Sequence, residues 1–435
     1  MFKQRMMLCL LLAVGFLGPR FVYSQEAGPE VPAEVDQSIH VVVGPSARAL
    51  DPVAIADFEC SSDKSVCKEA NKVLDRDLTL SGFFKILDRS SFLGDPSAEG
   101  LGAPVWSSWF NIGAHYLIKG EITAKGKAYN CEFRLYNIND KKFVSVKGES
   151  QYAVPKEGLR RAVHTFANGV IEAITGSPGI FGSRILVTRK KSNNERVIES
   201  MEMGGAGLTT QVANGSINMF PRSSRKGILY TSYLSGIPQL YVGKKRITND
   251  DREYRGAEFS PNGKKIVASV DIDGQSDLVI LDGETGKEEL RLTDSEWDEV
   301  SPSWSPDGSK IVFVSSKNGH PQVHIINADG TGERRLTMAG RYNVNPRFGP
   351  KGLIVFAGMD EFVLDLFTVD LSGNMTRLTQ GQGSNKDPCW SPDGRYLAFV
   401  SDRAGKWKVW IMTQDGRYQF PITDKVDTWA QIDWR

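Results

Sequence analysis

His320 and His324 stand four residues apart, a separation that on a helix would aim two imidazoles at one zinc ion. Here they fall on an extended segment beside a hairpin, two pleats apart and with no third ligand evident, so no zinc site is expected. Asp271, Asp273 and Asp277, with Gly274, have the look of a calcium loop, but the twelve-residue frame and its closing glutamate are missing. Turn formation explains them better. No G-x-S-x-G elbow occurs, and Gly204-Gly205-Ala206-Gly207 lacks the following helix that a phosphate cradle requires. His164, on an apolar helix, reads as a packing or hydrogen-bonding residue. The chain therefore reads as a protein without catalytic residues, metal or cofactor.

What remains is recognition chemistry. Acids, bases, amides and aromatics recur in six stretches, 214–217, 253–256, 298–301, 342–345, 384–387 and 428–431. Aromatic anchors among paired polar groups are what protein interfaces favour. The candidate partner-binding residues are Glu253, Tyr254, Arg255, Asp298, Glu299, Tyr342, Asn343, Asn385, Lys386, Asp387 and Trp429. Reversing Asp298 and Glu299 to lysine is expected to weaken a docked partner while barely changing folding. The same reversal at Glu288 and Glu289, assigned to an outer hairpin, is expected to do little.

A repeat brings these stretches together. Six threonines are each followed eleven residues on by an aromatic: Thr209/Phe220, Thr248/Phe259, Thr293/Trp304, Thr337/Phe348, Thr379/Trp390 and Thr423/Trp434. Successive threonines lie 39, 45, 44, 42 and 44 residues apart, the period of a unit of four short strands. Ser305-Pro306-Asp307-Gly308 shows the turn chemistry: proline presets φ, aspartate tolerates the third position and glycine takes positive φ. Copies stand at Ser260 to Gly263 and Ser391 to Gly394. The expected fold is an all-β six-bladed propeller over 178–435, closed by Trp429 to Trp434 as the inner strand of the first blade, which removes an unpaired sheet edge.

Ahead of the repeats lies a mixed region. Pro52 to Phe58 is strand-like, Val66 to Leu78 has helical spacing, and Tyr129 to Leu135 alternates as a half-buried strand. Leu159 to Ile174 forms a helical stripe. These define an α/β domain over 39–177, beginning with a strand at Ile39 to Val43. Lys3 and Arg5, the apolar run Met6 to Leu17 and Val22-Tyr23-Ser24 read as a secretory signal peptide over 1–24. Residues 25–38 form a flexible, acidic lead-in. Loss of Lys3, Arg5 and Arg20 takes the formal net charge from +1 to −2, which leaves no electrostatic footprint for nucleic acid. No later segment is long and apolar enough for a transmembrane anchor. Cys60 and Cys67 are close enough to pair in an oxidising compartment, with two free thiols an equal reading; Cys131 and Cys389 read as small core residues.

The stretch Leu159-Arg160-Arg161-Ala162-Val163-His164-Thr165, then Ile174-Thr175-Gly176, Gly179-Ile180-Phe181 and Arg184-Ile185, followed by WSPDG-type repeats, resembles the TolB family. The resemblance implies a periplasmic propeller of the Tol-Pal system, supporting outer-membrane integrity and cell division. Its implied partners are the peptidoglycan-associated lipoprotein Pal at the propeller mouth, TolA at the N-terminal region, and other outer-membrane lipoproteins. The alternative is a ligand-binding propeller serving a hydrolase on another chain. A metal-dependent lyase on a six-bladed ring is the third reading.

Overall fold

The computed structural model describes residues 49–435 except 62, 94–95, 148–150, 361 and 424–428. The expected signal peptide, the lead-in and the strand at 39–43 lie outside the described residues. Seven strands come first among the described residues: β1 (Asp51–Ile55), β2 (Glu59–Cys60), β3 (Phe84–Ile86), β4 (Tyr116–Lys125), β5 (Ala128–Asn137), β6 (Lys142–Val144) and β7 (Gln151–Pro155). They form one sheet in the order β3-β1-β4-β5-β6, with β2 also on β4 and β7 also on β5. Helices α1 (Lys64–Leu80), α2 (Trp106–Asn111) and α3 (Leu159–Thr175) accompany it.

The sequence accounts for how α1 and α3 sit. Asp63 caps α1 by accepting from Ser65 N at 2.8 Å, and Gly176 ends α3 at φ 79°, a conformation a side chain resists. The apolar stripes, Ala70, Val73, Leu74 and Leu78 on α1 and Val163, Phe166 and Val170 on α3, are buried in one cluster with the sheet residues Ile118, Phe133 and Leu135. Phe166 meets Phe133 with ring centroids 5.0 Å apart. Cys60 and Cys67 are joined by a disulfide that ties β2 to α1, which decides between the two readings left open by spacing. Cys131 and Cys389 are free and buried.

Six four-stranded antiparallel sheets follow among the described residues. The first blade takes its inner strand from the chain's other end: Trp429–Trp434 pairs with Arg184–Lys190, with Trp434 opposite Ile185. The inner strands of blades two to six are Asn218–Ser224, Tyr254–Phe259, Glu299–Trp304, Tyr342–Phe348 and Asn385–Trp390.

The repeat residues have defined jobs. Thr248, Thr293, Thr337, Thr379 and Thr423 each accept, through the hydroxyl, the third-strand amide of their own blade: Leu240, Leu278, Val323, Leu366 and Val409. A buried amide that would otherwise be orphaned is thereby satisfied. The tryptophans bind one blade to the preceding one, Trp304 Nε1 donating to Glu258 O and Trp390 Nε1 to Arg347 O, both at 3.1 Å.

The first pair is out of register. Thr209 is exposed on the outer strand Thr209–Val212, and Phe220 has φ 54° at a bulge. The bulges of the other inner strands hold Gly256, Ser301, Asn345, Asp387 and Gln431 at positive φ, three residues before Phe259, Trp304, Phe348, Trp390 and Trp434. Ser223 therefore occupies the aromatic position of blade two. The mouth stretch of that blade is shifted accordingly from 214–217 to 217–220.

The α/β sheet and helices pack against blades one and six at the end where the Ser-Pro-Asp-Gly turns lie. Tyr396 OH donates to Ser81 O at 2.9 Å and Arg76 to Pro421 O at 2.6 Å. Gly205 passes so close to Ile422 that a Cβ would stand 1.7 Å from its carbonyl oxygen, so only glycine fits there. The core is continuous across this junction, with Met201, Met203, Tyr396 and Trp434 in the same cluster as Leu78 and Phe166.

Candidate functional site

Inner strands start at the end of the ring facing away from the α/β domain. The second strand of each blade ends beside that start, as in Glu299 opposite Ser315 and Asn385 opposite Ser401. Loops between blades and turns between second and third strands therefore surround one mouth. Glu253 and Arg255 form an ion pair there, with side chains 37% and 25% exposed. Tyr342 is half-buried, and burial raises its phenol above the usual range. Lys386 places its ammonium 4.2 Å from the centroid of the Trp407 ring, a cation–π contact. Asp298 is partly exposed, but its Oδ1 accepts from Ser276 N at 3.1 Å.

Four expected contact residues are not on this surface. Tyr254 is fully buried, its hydroxyl donating to Asp250 Oδ2 at 2.8 Å. Asn343 donates to Gln322 Oε1 at 2.8 Å and Asn385 accepts from Arg403 at 2.7 Å, both buried. Glu299 is 2% exposed and accepts from Ser295 Oγ at 2.8 Å and Ser315 Oγ at 3.0 Å. The physical reason is the bulge. Each of these residues stands two positions before it, where the side chain points into the blade stack and not toward solvent. Burial and the Asp277 and Glu333 charges push Glu299 up to about 7. A lysine there would bury an unpaired ammonium, so the Asp298/Glu299 reversal cannot leave folding untouched. Glu288 is no neutral control either, since it accepts from Arg252 at 2.6 Å. Trp429 opens the closing strand opposite Arg189, and its side chain lies outside the described residues.

The same end carries apolar side chains that the repeat reading passed over. Trp297 is 39% exposed and Met338 71% exposed in the loops entering blades four and five, while Leu234 and Phe362 stand on second-to-third-strand turns at 52% and 93%. Large apolar groups on turns that are otherwise polar were the available signal.

Asp387 belongs to the lumen below the mouth. A belt of bonds crosses from blade to blade at the bulges. Ser301 Oγ donates to Asn345 Oδ1 at 3.4 Å, Asn345 Nδ2 to Asp387 Oδ1 at 2.9 Å, Gln431 N to Asp387 Oδ2 at 3.1 Å, and Phe220 N to Gln431 Oε1 at 2.9 Å. Positive φ at non-glycine positions costs about 1 to 3 kcal/mol each and persists where surroundings over-determine it. Two residues further on, Arg222, Glu258, Ser303, Arg347, Cys389 and Asp433 form a second belt, one from each blade. Arg347 crosses the lumen to Glu258, at 3.2 Å, and to Asp433. Beyond it, toward the Ser-Pro-Asp-Gly turns, opens a cavity of about 280 Å³ rimmed by Pro261, Pro306, Pro350 and Pro392.

The other sequence candidates resolve as structure. His324 is buried against Glu333 at 3.1 Å, and His320 is exposed at the end of a single 3-10 turn. Asp271 Oδ1 accepts from Gly274 N, and buried Asp277 accepts from Arg291 at 2.6 Å. His164 lies between Asp77, at 2.6 Å, and Glu202, at 3.4 Å. Among the described residues no group of three or more His, Cys, Asp or Glu side chains is placed to hold a metal. No helix among them is long and apolar enough to cross a membrane.

Comparison with known proteins gives two family matches, the TolB amino-terminal domain over residues 39–144 and the TolB beta propeller domain over 171–362. The Tol-Pal system protein TolB of Anaeromyxobacter sp. (strain K) is 34% identical over 325 residues, 74% of this chain and 64% of the relative. That of Roseobacter denitrificans is 32% identical over 238 residues, 53% of this chain and 51% of the relative. The chain thus spans between about half and just under two thirds of the length of these curated relatives. The crystal structure of TolB from Acinetobacter baumannii superposes with a TM-score of 0.75 at 19% identity, covering 89% of this chain and 97% of that one, a likeness of fold.

Proposed function

From a chain that belongs to the TolB family, we infer a periplasmic scaffold of the Tol-Pal envelope system that acts by binding and not by catalysis. It docks the lipoprotein Pal at the propeller mouth and TolA through its N-terminal region, and so maintains the outer membrane and supports division. Family membership implies the system and its partners. The choice of the mouth rests on one observation: the end of the ring left open by the α/β domain carries exposed Trp297, Met338 and Phe362 beside the charged residues Glu253, Arg255, Asp298 and Lys386. Interface hot spots are apolar or aromatic groups of this kind set in a polar rim.

The test is calorimetry with purified Pal. Trp297→Ala combined with Met338→Ala should weaken binding at least tenfold, at about 1 to 2 kcal/mol for each truncated anchor, with an unchanged melting curve because both side chains are exposed. Phe110→Ala serves as the comparison, since Phe110 is 62% exposed on α2 of the α/β domain. Equal affinity in the double variant and the wild type would move the docking surface away from the mouth.

A further inference from the structure

The second lumen belt is unevenly paired. Arg347 engages both acids of the belt, Glu258 and Asp433, and Asp433 also accepts from Ser223 N through Oδ2 at 2.7 Å. Arg222 is left, among the described residues, donating to the Pro221 carbonyl at 2.9 Å. Its guanidinium feels Arg347, Asp433, Glu258 and Cys389, side chains of four other blades, which places it at the axis. Burial and the neighbouring Arg347 lower it to about 10. Burial likewise pushes Glu258 and the Cys389 thiol up.

A second donor without an acceptor lies in the adjacent belt. Gln431 is 6% exposed, and its Nε2 is buried with no hydrogen-bond partner. Its Oε1 fixes the amide against blade two by accepting from Phe220 N at 2.9 Å, two residues before Arg222. Aspartate, asparagine and serine in that belt are spent on one another. A buried donor left without an acceptor carries an uncompensated desolvation cost, and the Arg222 guanidinium has no carboxylate in contact among the described residues. One compact acceptor of negative charge relieves both.

We propose that the axial lumen of this propeller is an anion site, in which a carboxylate or halide of small size is held between the Arg222 guanidinium and the Gln431 side-chain amide. The carboxylate arrives either as a free small anion or on the side chain of a docked partner.

The test uses the full chain with sodium acetate and sodium bromide as probes. Thermal unfolding of the wild type should rise in equal steps for each tenfold increase in acetate above its dissociation constant, as ligand linkage requires. Arg222→Gln, measured in the same salt series, should lose that dependence. Gln431→Glu keeps the acceptor for Phe220 N and supplies a tethered carboxylate, so it too should stop responding to acetate, and it reports even where Arg222→Gln does not fold. Crystals grown in bromide should show anomalous density between Arg222 and Gln431. Acetate competing with Pal in the wild type but not in Gln431→Glu assigns the anion to a partner side chain; no competition assigns it to a free ion. A water in place of bromide, or identical acetate responses in all three proteins, overturns the site.

Discussion

Replacing His164 with glutamine should unlock the α/β domain from the propeller, and the pH dependence of stability should show it. His164 on α3 sits between Asp77 on α1 and Glu202 at the end of a first-blade strand. Arg160 adds a bond to Glu202 at 2.7 Å. The side chains of His164 and Asp77 are only 7% and 3% exposed, so solvent screens little of this. Burial alone would lower the imidazole, but the hydrogen bonds and charges of Asp77 and Glu202 outweigh it and raise His164 from 6.5 to about 9. Its hydrogen bond to His164 is the main cause holding Glu202 at about 2. Burial pushes Asp77 up even with the imidazole beside it. We assign the proton to His164, because it faces both carboxylates and Glu202 is held ionised.

A histidine raised in the folded state contributes stability that is complete below 6.5 and is lost as pH rises through about 9. Glu202, depressed, contributes above its ordinary 4.5 and is lost as pH falls toward 2. The latch is therefore strongest between about pH 4.5 and 6.5. Holding the proton from 6.5 to about 9 corresponds to about 3 kcal/mol; this is the same interaction as the Glu202 depression and is counted once. Wild-type protein should lose about that much between pH 6.5 and 9.5, on top of any general trend. His164→Gln should be less stable by about 3 kcal/mol at pH 6.5, since Asp77 stays buried without its charged partner, and should converge toward wild type at pH 9.5. Thermal unfolding followed by circular dichroism and tryptophan emission at matched ionic strength reads this. Parallel stability curves for the two proteins across that range would refute the latch.

Deleting Thr428 to Arg435 should destabilise the propeller by at least the 3 to 5 kcal/mol typical of one lost buried aromatic, because Ile432 and Trp434 are 2% and 6% exposed; an unchanged melting midpoint would mean the first blade does not depend on that strand. Glu299→Gln should abolish a stability loss that the wild type shows on raising pH from 5 to 8, since its carboxyl, raised to about 7 in the fold, favours the folded state only while protonated; a loss that persists in the variant would clear Glu299. Reducing the Cys60–Cys67 disulfide should cost about 2 to 3 kcal/mol by the loop-entropy estimate, read as a lower denaturation midpoint in reductant, with Cys60→Ser/Cys67→Ser insensitive to it.

Strand count, blade number and closure were legible because they depend on local signals. Turns need proline and glycine at fixed offsets, and each blade needs a threonine hydroxyl for one orphaned amide. The first blade departs from that reading: the Thr209 hydroxyl bonds Ser200 and, among the described residues, accepts from no third-strand amide, so Thr209 matched the pattern without doing the work. Burial of Tyr254, Glu299, Asn343 and Asn385 was illegible for a different reason. A bulge inverts the alternation of a strand, and its six occupants, Phe220, Gly256, Ser301, Asn345, Asp387 and Gln431, share no residue type. Three of the six are glycine, asparagine or aspartate, which positive φ favours, and that is the trace a sequence can carry.

The lumen shows the limit of pattern most plainly. Arg222, Glu258, Arg347 and Asp433 are separated by 36 to 211 residues, and none stands in a motif. Their common property is distance from a bulge, two residues in every blade, and that property acquires meaning only when the sixth sheet closes on the first. Arg347 then reaches two blades in either direction, to Glu258 and to Asp433. Asp433 belongs to the strand that closes the ring. Closure and lumen chemistry are therefore one event: the strand that seals the first blade also delivers the carboxylate that Arg347 requires and the Gln431 amide that faces the lumen. A chain lacking that strand would expose an unpaired sheet edge and, at the same time, leave two arginines sharing one acid at the axis.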